Sequence, residues 1–275
     1  MVSMTESQPL ELSRPNQVQR RDESWRPPSF RRVSSRWDSL VAAARRLLDL
    51  QASSIYRDLR LLLPPLNGVI LDVGCGAQPY RPLIGPQAVY RAIDQSEAYE
   101  RFGYSVPDTT YYEGDAWPID SSSVDVVLST ETLEHVAEPR AFLLEAWRCL
   151  KPGGRIVLTV PFSARWHYIP HDYWRFTPSG LLNLLESAGF HNVTVYARGN
   201  AFCVACYKVM ALFLPLLLTQ QSAWPVRWLS RTIGVICLPL ICVLGLLGNL
   251  SLMGEGGDDC LGYTAIAARP SERAQ

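Results

Sequence analysis

The chain has 275 residues with 26 Lys+Arg against 26 Asp+Glu, so its formal net charge is zero. That length supports a buried core and suits one large α/β domain with additions. The neutral balance offers no general attraction to a phosphate backbone and disfavours nucleic acid as a partner. Seven cysteines, scattered from Cys75 to Cys260, are an odd number without a paired framework and point to a reducing compartment.

Residues 1–36 are rich in Ser, Arg, Gln, Glu and Pro, lack periodicity and contain no apolar stretch that would mark a signal peptide. They read as a disordered polar arm. From Trp37 the apolar residues Leu40, Val41, Ala44, Leu47, Leu48, Ile55 and Leu59 fall on helical spacing, so one or two amphipathic helices run to about Leu63, where Pro64-Pro65 stops them.

Strands then alternate with helices. Short β runs are predicted at Val69–Val73, Tyr90–Ile93, Thr110–Tyr112, Val124–Leu128 and Ile156–Val160. A helix from Pro139 to Leu150 carries proline in its first turn and ends before a turn at Lys151-Pro152-Gly153-Gly154. Another, Pro178–Ala188, stops at Gly189, and strands His191–Arg198 and Tyr263–Arg269 complete the set. The pattern predicts an α/β fold with a mainly parallel sheet covered by helices on both faces.

The most informative stretch is Val69-Ile70-Leu71-Asp72-Val73-Gly74-Cys75-Gly76, a buried strand running into a glycine turn that lets backbone N–H groups approach a ligand. A dinucleotide fingerprint would want a third glycine at position 79, which is Pro79. Three further signals follow in order: Asp94 ending the second strand, Gly114-Asp115-Ala116 after the third, and Leu150-Lys151-Pro152-Gly153-Gly154-Arg155 entering the fifth. Together these resemble the class I methyltransferases that use S-adenosylmethionine, specifically their type 11 group, over roughly residues 40–198 and 261–270. Gln78 departs from the pattern, since many members carry glycine there. The resemblance implies a Rossmann-like seven-stranded sheet, S-adenosylmethionine as cofactor, no metal, and a cofactor site of Asp72, Gly74, Cys75, Gly76, Asp94, Asp115, Ala116 and Thr130. In it Asp94 would accept both ribose hydroxyl protons and Asp115 the exocyclic amine of adenine.

Ligands of open α/β sheets bind beyond the carboxyl ends of the strands. The loops that qualify are Thr130-Glu131-Thr132-Leu133-Glu134-His135 and residues 161–177, the second holding two of the four histidines and six aromatics. A base for a hydroxyl or amine acceptor calls for histidine, which nominates His135 and His171, the latter beside Asp172. Asp172 has the alternative of pairing with Arg175 to fix a lid.

Between the last two strands lie about 60 residues in which 199–254 carry only Lys208, Arg227 and Arg231 as charged groups. Ala201–Leu218 and Thr232–Gly254 approach the roughly 20 residues that span a bilayer, and Trp224, Arg227, Trp228 and Arg231 suit a headgroup region. Because both flanking strands belong to one sheet, the insertion crosses twice or not at all. Pro215 and Pro239 are expected to interrupt it, which favours a hairpin dipping into one leaflet. Cys203 and Cys206 form a C-x-x-C within this apolar run, without a second pair, and read as packing residues.

Four segments result: a polar arm (1–36), the core (37–200), an apolar helical insertion (201–254), and the last strand with a tail (255–275). The function expected is methyl transfer to oxygen of a lipid-linked, glycan or other amphiphilic acceptor by a cytoplasmic enzyme held peripherally or monotopically on a membrane surface through 201–254. The alternatives are a soluble methyltransferase for a small molecule and a non-catalytic, cofactor-binding scaffold. The mean hydropathy of +0.01 is then an average over unlike segments.

Overall fold

A computed structural model describes residues 35–98, 100, 105–218 and 224–271, so the arm expected over 1–36 lies almost wholly outside the described residues. Helix α1 (Arg36–Leu48) opens on a capping box in which Ser35 Oγ accepts from the Asp38 amide at 3.1 Å and the Asp38 carboxylate accepts from the Ser35 amide at 2.9 Å. It buries none of its side chains. Helix α2 (Leu50–Leu62), capped by Asp49, buries Leu50, Ile55 and Leu59.

Seven strands follow: β1 (Gly68–Val73), β2 (Ala88–Gln95), β3 (Thr110–Tyr112), β4 (Val124–Thr130), β5 (Leu150–Pro161), β6 (His191–Arg198) and β7 (Gly262–Ala268). They form one sheet in the order β3-β2-β1-β4-β5-β7-β6, parallel except for β7, which is antiparallel to both neighbours. Alternation along each strand feeds two layers. Leu71, Val73, Val127, Ile156 and Leu158 pack with Phe142 and Leu143 of helix α3 (Pro139–Cys149) and with Leu181 and Leu185 of helix α4 (Pro178–Ser187). Ile70, Val126, Leu128 and Val157 point the other way, against Ile55, Leu59 and Leu63. Each fully buried Leu or Ile contributes roughly 1.5–3 kcal/mol, so the central strands hold the sheet from both faces.

The turn expected at Lys151–Gly154 is instead the start of β5. Gly153 takes φ +79°, and the pairing with β4 shifts register between Val124 and Val126, so the chain bulges without leaving the sheet. Gly189 adopts the left-handed conformation expected of a helix stop, φ +95°.

The insertion is a pair of helices, α5 (Ala201–Leu218) and α6 (Trp224–Ser251), packed against each other. Neither proline breaks its helix, contrary to expectation, and the second segment begins at Trp224 rather than Thr232. A proline costs a helix about 3 kcal/mol. The two helices pack along each other through both prolines, a contact that favours their staying helical. Cys203 and Cys206 pack with Leu50, Met210, Ile241 and Leu261 and are free thiols, as a packing role requires.

Two glycines bring α1 and the start of α2 against this pair. A Cβ on Gly245 would lie 2.5 Å from the Leu47 carbonyl oxygen and one on Gly248 would lie 2.5 Å from Leu50 Cδ1, and Asn249 Nδ2 donates to the Leu47 carbonyl at 3.2 Å. The hairpin leaves the sheet where Arg198 of β6 pairs with Gly262 of β7, which in turn pairs with Pro161 at the carboxyl end of β5. It therefore rises from the end of the sheet at which the parallel strands finish.

Candidate active site

The strand order reverses between β1 and β4, the place in an open α/β sheet where ligands bind beyond the strand ends. After Val73 the chain turns at Gly74 (φ +68°), whose amide donates to the Ile93 carbonyl at 3.0 Å. A Cβ on Gly74 would come within 2.3 Å of Thr132 Cγ2 in the β4 loop, so only glycine lets the two loops close together. Gly76 (φ +51°) donates its amide to Asp94 Oδ2 at 2.9 Å, while Asp94 Oδ1 accepts from the Gln95 amide at 2.9 Å. Burial pushes the Asp94 carboxyl up, and these two amides counter it.

Gln78 explains its own departure from the family pattern. It is fully buried at φ +54°, a conformation glycine adopts freely, and its side chain is caged by Thr109 Oγ1 at 2.9 Å and Arg81 Nη1 at 3.0 Å. Three residues acting together hold a turn that a single glycine would form unaided.

One cavity of about 1600 Å³ runs from this loop. Gly74, Cys75, Gly76, Asp94, Asp115, Ala116 and Thr130 line it, while Asp72 does not. Asp72 lies beneath the loop, where its Oδ2 accepts from the Tyr90 hydroxyl at 2.6 Å and burial pushes the carboxyl up to about 7. The Cys75 thiol is likewise pushed well up by burial, which removes it as a nucleophile at neutral pH.

His135 lies in a short 3-10 turn (Leu133–His135) after β4 and lines the cavity. Its Nδ1 donates to the His171 carbonyl at 2.7 Å, and its Nε2 is 3.7 Å from Glu134 Oε1. Burial, aided by His167, lowers its pKa to about 4, so the ring is neutral at neutral pH. His171 and Asp172 do not line the cavity; the His171 ring meets the Tyr173 hydroxyl at 3.3 Å. Asp172 makes the alternative pairing with Arg175, at 2.6 and 2.7 Å, and accepts from the His167 amide at 3.0 Å. Burial alone would raise its carboxyl, but the bonds from Arg175 and then His167 outweigh it and hold the group well below the usual carboxylate range. The 162–177 loop is also latched to the β4 loop through the Glu134 carbonyl, which accepts from the Tyr173 amide at 2.8 Å.

Several cavity residues escape a reading of the sequence. His167 and Tyr168 line it from the aromatic loop, and Tyr207 from α5. Glu131 lines it at φ +49°, held by the buried Arg198 guanidinium at 2.7 Å. Only the loop's aromatic richness signalled the first two; the Glu131–Arg198 pair spans 67 positions and has no local signature. Glu134, His135 and His167 place ligand atoms within 4.8 Å of one another, and neither Glu134 side-chain oxygen has a hydrogen-bond partner among the described residues. That trio has the donor types to hold a divalent cation.

Comparison with known proteins gives the same answer as the loop. A family model described as a methyltransferase domain matches residues 71–158. The ubiquinone biosynthesis O-methyltransferase of Cereibacter sphaeroides is 32% identical over 168 residues, covering 52% of this chain and 68% of that protein. Its counterpart in Roseobacter denitrificans is 30% identical over 158 residues, covering 47% and 62%. Among solved structures, a SAM-dependent methyltransferase from Archaeoglobus fulgidus superposes with a TM-score of 0.48 at 16% identity, covering 86% of this chain and 100% of that one. A phosphoethanolamine N-methyltransferase from Haemonchus contortus gives 0.46 at 14%, covering 81% of this chain and only 52% of its own. The chain belongs to the S-adenosylmethionine-dependent methyltransferases that carry the matched domain.

Proposed function

We propose that the chain transfers the methyl group of S-adenosylmethionine to an oxygen of an amphiphilic acceptor at a membrane surface, to which α5 and α6 attach it. When bound, the cofactor supplies an electrophilic methyl for in-line displacement. The chain's own contribution is chiefly positioning. The glycine-loop end of the cavity fits the cofactor: Gly74 and Gly76 leave room where a Cβ would clash or strain, and Asp94, already aligned by two amides, faces the cavity beside Asp115. Asp94 would hold the ribose hydroxyls and Asp115 the adenine amine. His135 would take the proton of the acceptor hydroxyl, and the Asp172–Arg175 pair would keep the 162–177 loop closed over the site.

The observation that carries the membrane part is placement. The hairpin rises from the same end of the sheet as the catalytic loops, and both helices are long and apolar enough to cross a bilayer. A second reading is favoured by Glu134: with His135 and His167 it would grip a divalent cation instead of leaving His135 to accept a proton. His135→Gln tests both. It is expected to lower the rate of S-adenosylhomocysteine formation by roughly 100-fold or more, with little change in cofactor affinity. Activity of the parent protein that survives a chelator supports the base, activity abolished by the chelator supports the cation, and an unchanged rate in His135→Gln removes His135 from both.

A further inference from the structure

We infer that the cavity has a second compartment, a slot between α1 and α5 that receives the hydrocarbon tail of the acceptor; this rests on the methyltransferase reading and extends it. At about 1600 Å³ the cavity exceeds the roughly 300–1,000 Å³ that suits one drug-sized ligand, so the cofactor leaves space for another occupant. Its lining includes Val41, Ala44 and Leu48 of α1 and Ala211, Leu214 and Leu218 of α5, with Asp38 and Arg45 as the charged members of the α1 wall. Helix α1 buries nothing of its own yet is fixed to α6 through Gly245 and Asn249, which keeps the slot's first wall in place. Helix α5 supplies the other wall and is part of the apolar hairpin.

The occupant follows from continuity. A molecule whose reacting oxygen lies near His135 and whose remainder enters this slot must be apolar along that remainder, because apolar side chains supply most of both walls. The tail would run from the site toward the hairpin that we assign to the bilayer. Helix α1 then acts as a specificity wall, selecting acceptors by chain.

The test uses the full chain in a mild detergent, with a dansyl-labelled undecanoic acid as fluorescent probe and primary alkanols of increasing chain length as competitors. Affinity for the alkanols is expected to rise roughly fourfold per added methylene until the slot is filled. Ala44→Trp and Ala211→Trp, which fill the slot from either wall, are expected to weaken the probe by about tenfold or more while S-adenosylmethionine still binds. Alkanol affinity independent of chain length overturns the slot whatever the variants do, as does unaltered probe binding in both variants. Flotation of the parent protein with vesicles is measured in parallel: failure to float ends the membrane reading alone, since the chain-length series judges the slot without a bilayer.

Discussion

Asp94→Ala is expected to weaken S-adenosylmethionine binding by about 100-fold or more, the largest single effect at the cofactor end. A carboxylate accepting from two hydroxyls makes two charge-assisted hydrogen bonds, each contributing roughly 1.5–3 kcal/mol. The same substitution frees the Gly76 amide that now donates to Oδ2 at 2.9 Å, so the loop loses its anchor together with the ligand's. Folding should suffer little, because Asp94 is half-buried at a strand end and burial already penalises its charge. Asp94→Asn keeps the shape and one acceptor oxygen and should fall between parent and alanine. Titration calorimetry measures the affinities, and thermal unfolding confirms that the variants remain folded. Affinity within about threefold of the parent in Asp94→Ala would remove Asp94 from the ribose site.

Membrane attachment is expected to be abolished by three lysines on one stripe of α6. Leu229, Ile236 and Val243 recur every seven residues and are 63%, 72% and 52% exposed, so they lie along a single outward face. A lysine costs roughly 2.5–3.5 kcal/mol at a bilayer centre and less near the headgroups. Leu229→Lys, Ile236→Lys and Val243→Lys together therefore exceed what a hairpin dipping into one leaflet can tolerate. In water the same positions already face solvent, so helicity and cofactor affinity should be retained. In a flotation gradient with lipid vesicles, the parent should rise and the triple variant should stay at the bottom. A parent that stays at the bottom without detergent contradicts attachment outright and leaves a soluble methyltransferase.

The parts of the fold that were legible in the sequence are those set by local chemistry. Gly74, Gly76 and the buried strand before them announce a ligand turn because glycine takes that left-handed backbone most readily and, at Gly74, leaves no Cβ to meet Thr132. Strand periods and the stops at Pro64-Pro65 and Gly189 follow from one or two residues each. What the sequence hid depends on neighbours distant in the chain. Pro215 and Pro239 read as breaks by their own propensity, yet their helices continue, each packed along the other. Gln78 looked like a defect in the loop until Thr109 and Arg81 closed around it. His171 and His135 were equal candidates by type; only the turn after β4 distinguishes them, giving His135 the cavity and His171 a carbonyl that orients it. Arg198 beneath Glu131, and the wall that α1 offers to the cavity, arise from packing that no local pattern encodes.

The measurement that bears most directly on the central claim is transfer of a labelled methyl group from S-adenosylmethionine by the full chain reconstituted in vesicles, offered a membrane-lipid extract and a water-soluble metabolite extract side by side. Label is predicted in the organic phase, attached through oxygen, with one S-adenosylhomocysteine released per methyl transferred. Label confined to water-soluble products, or no release of S-adenosylhomocysteine from either extract, would contradict it.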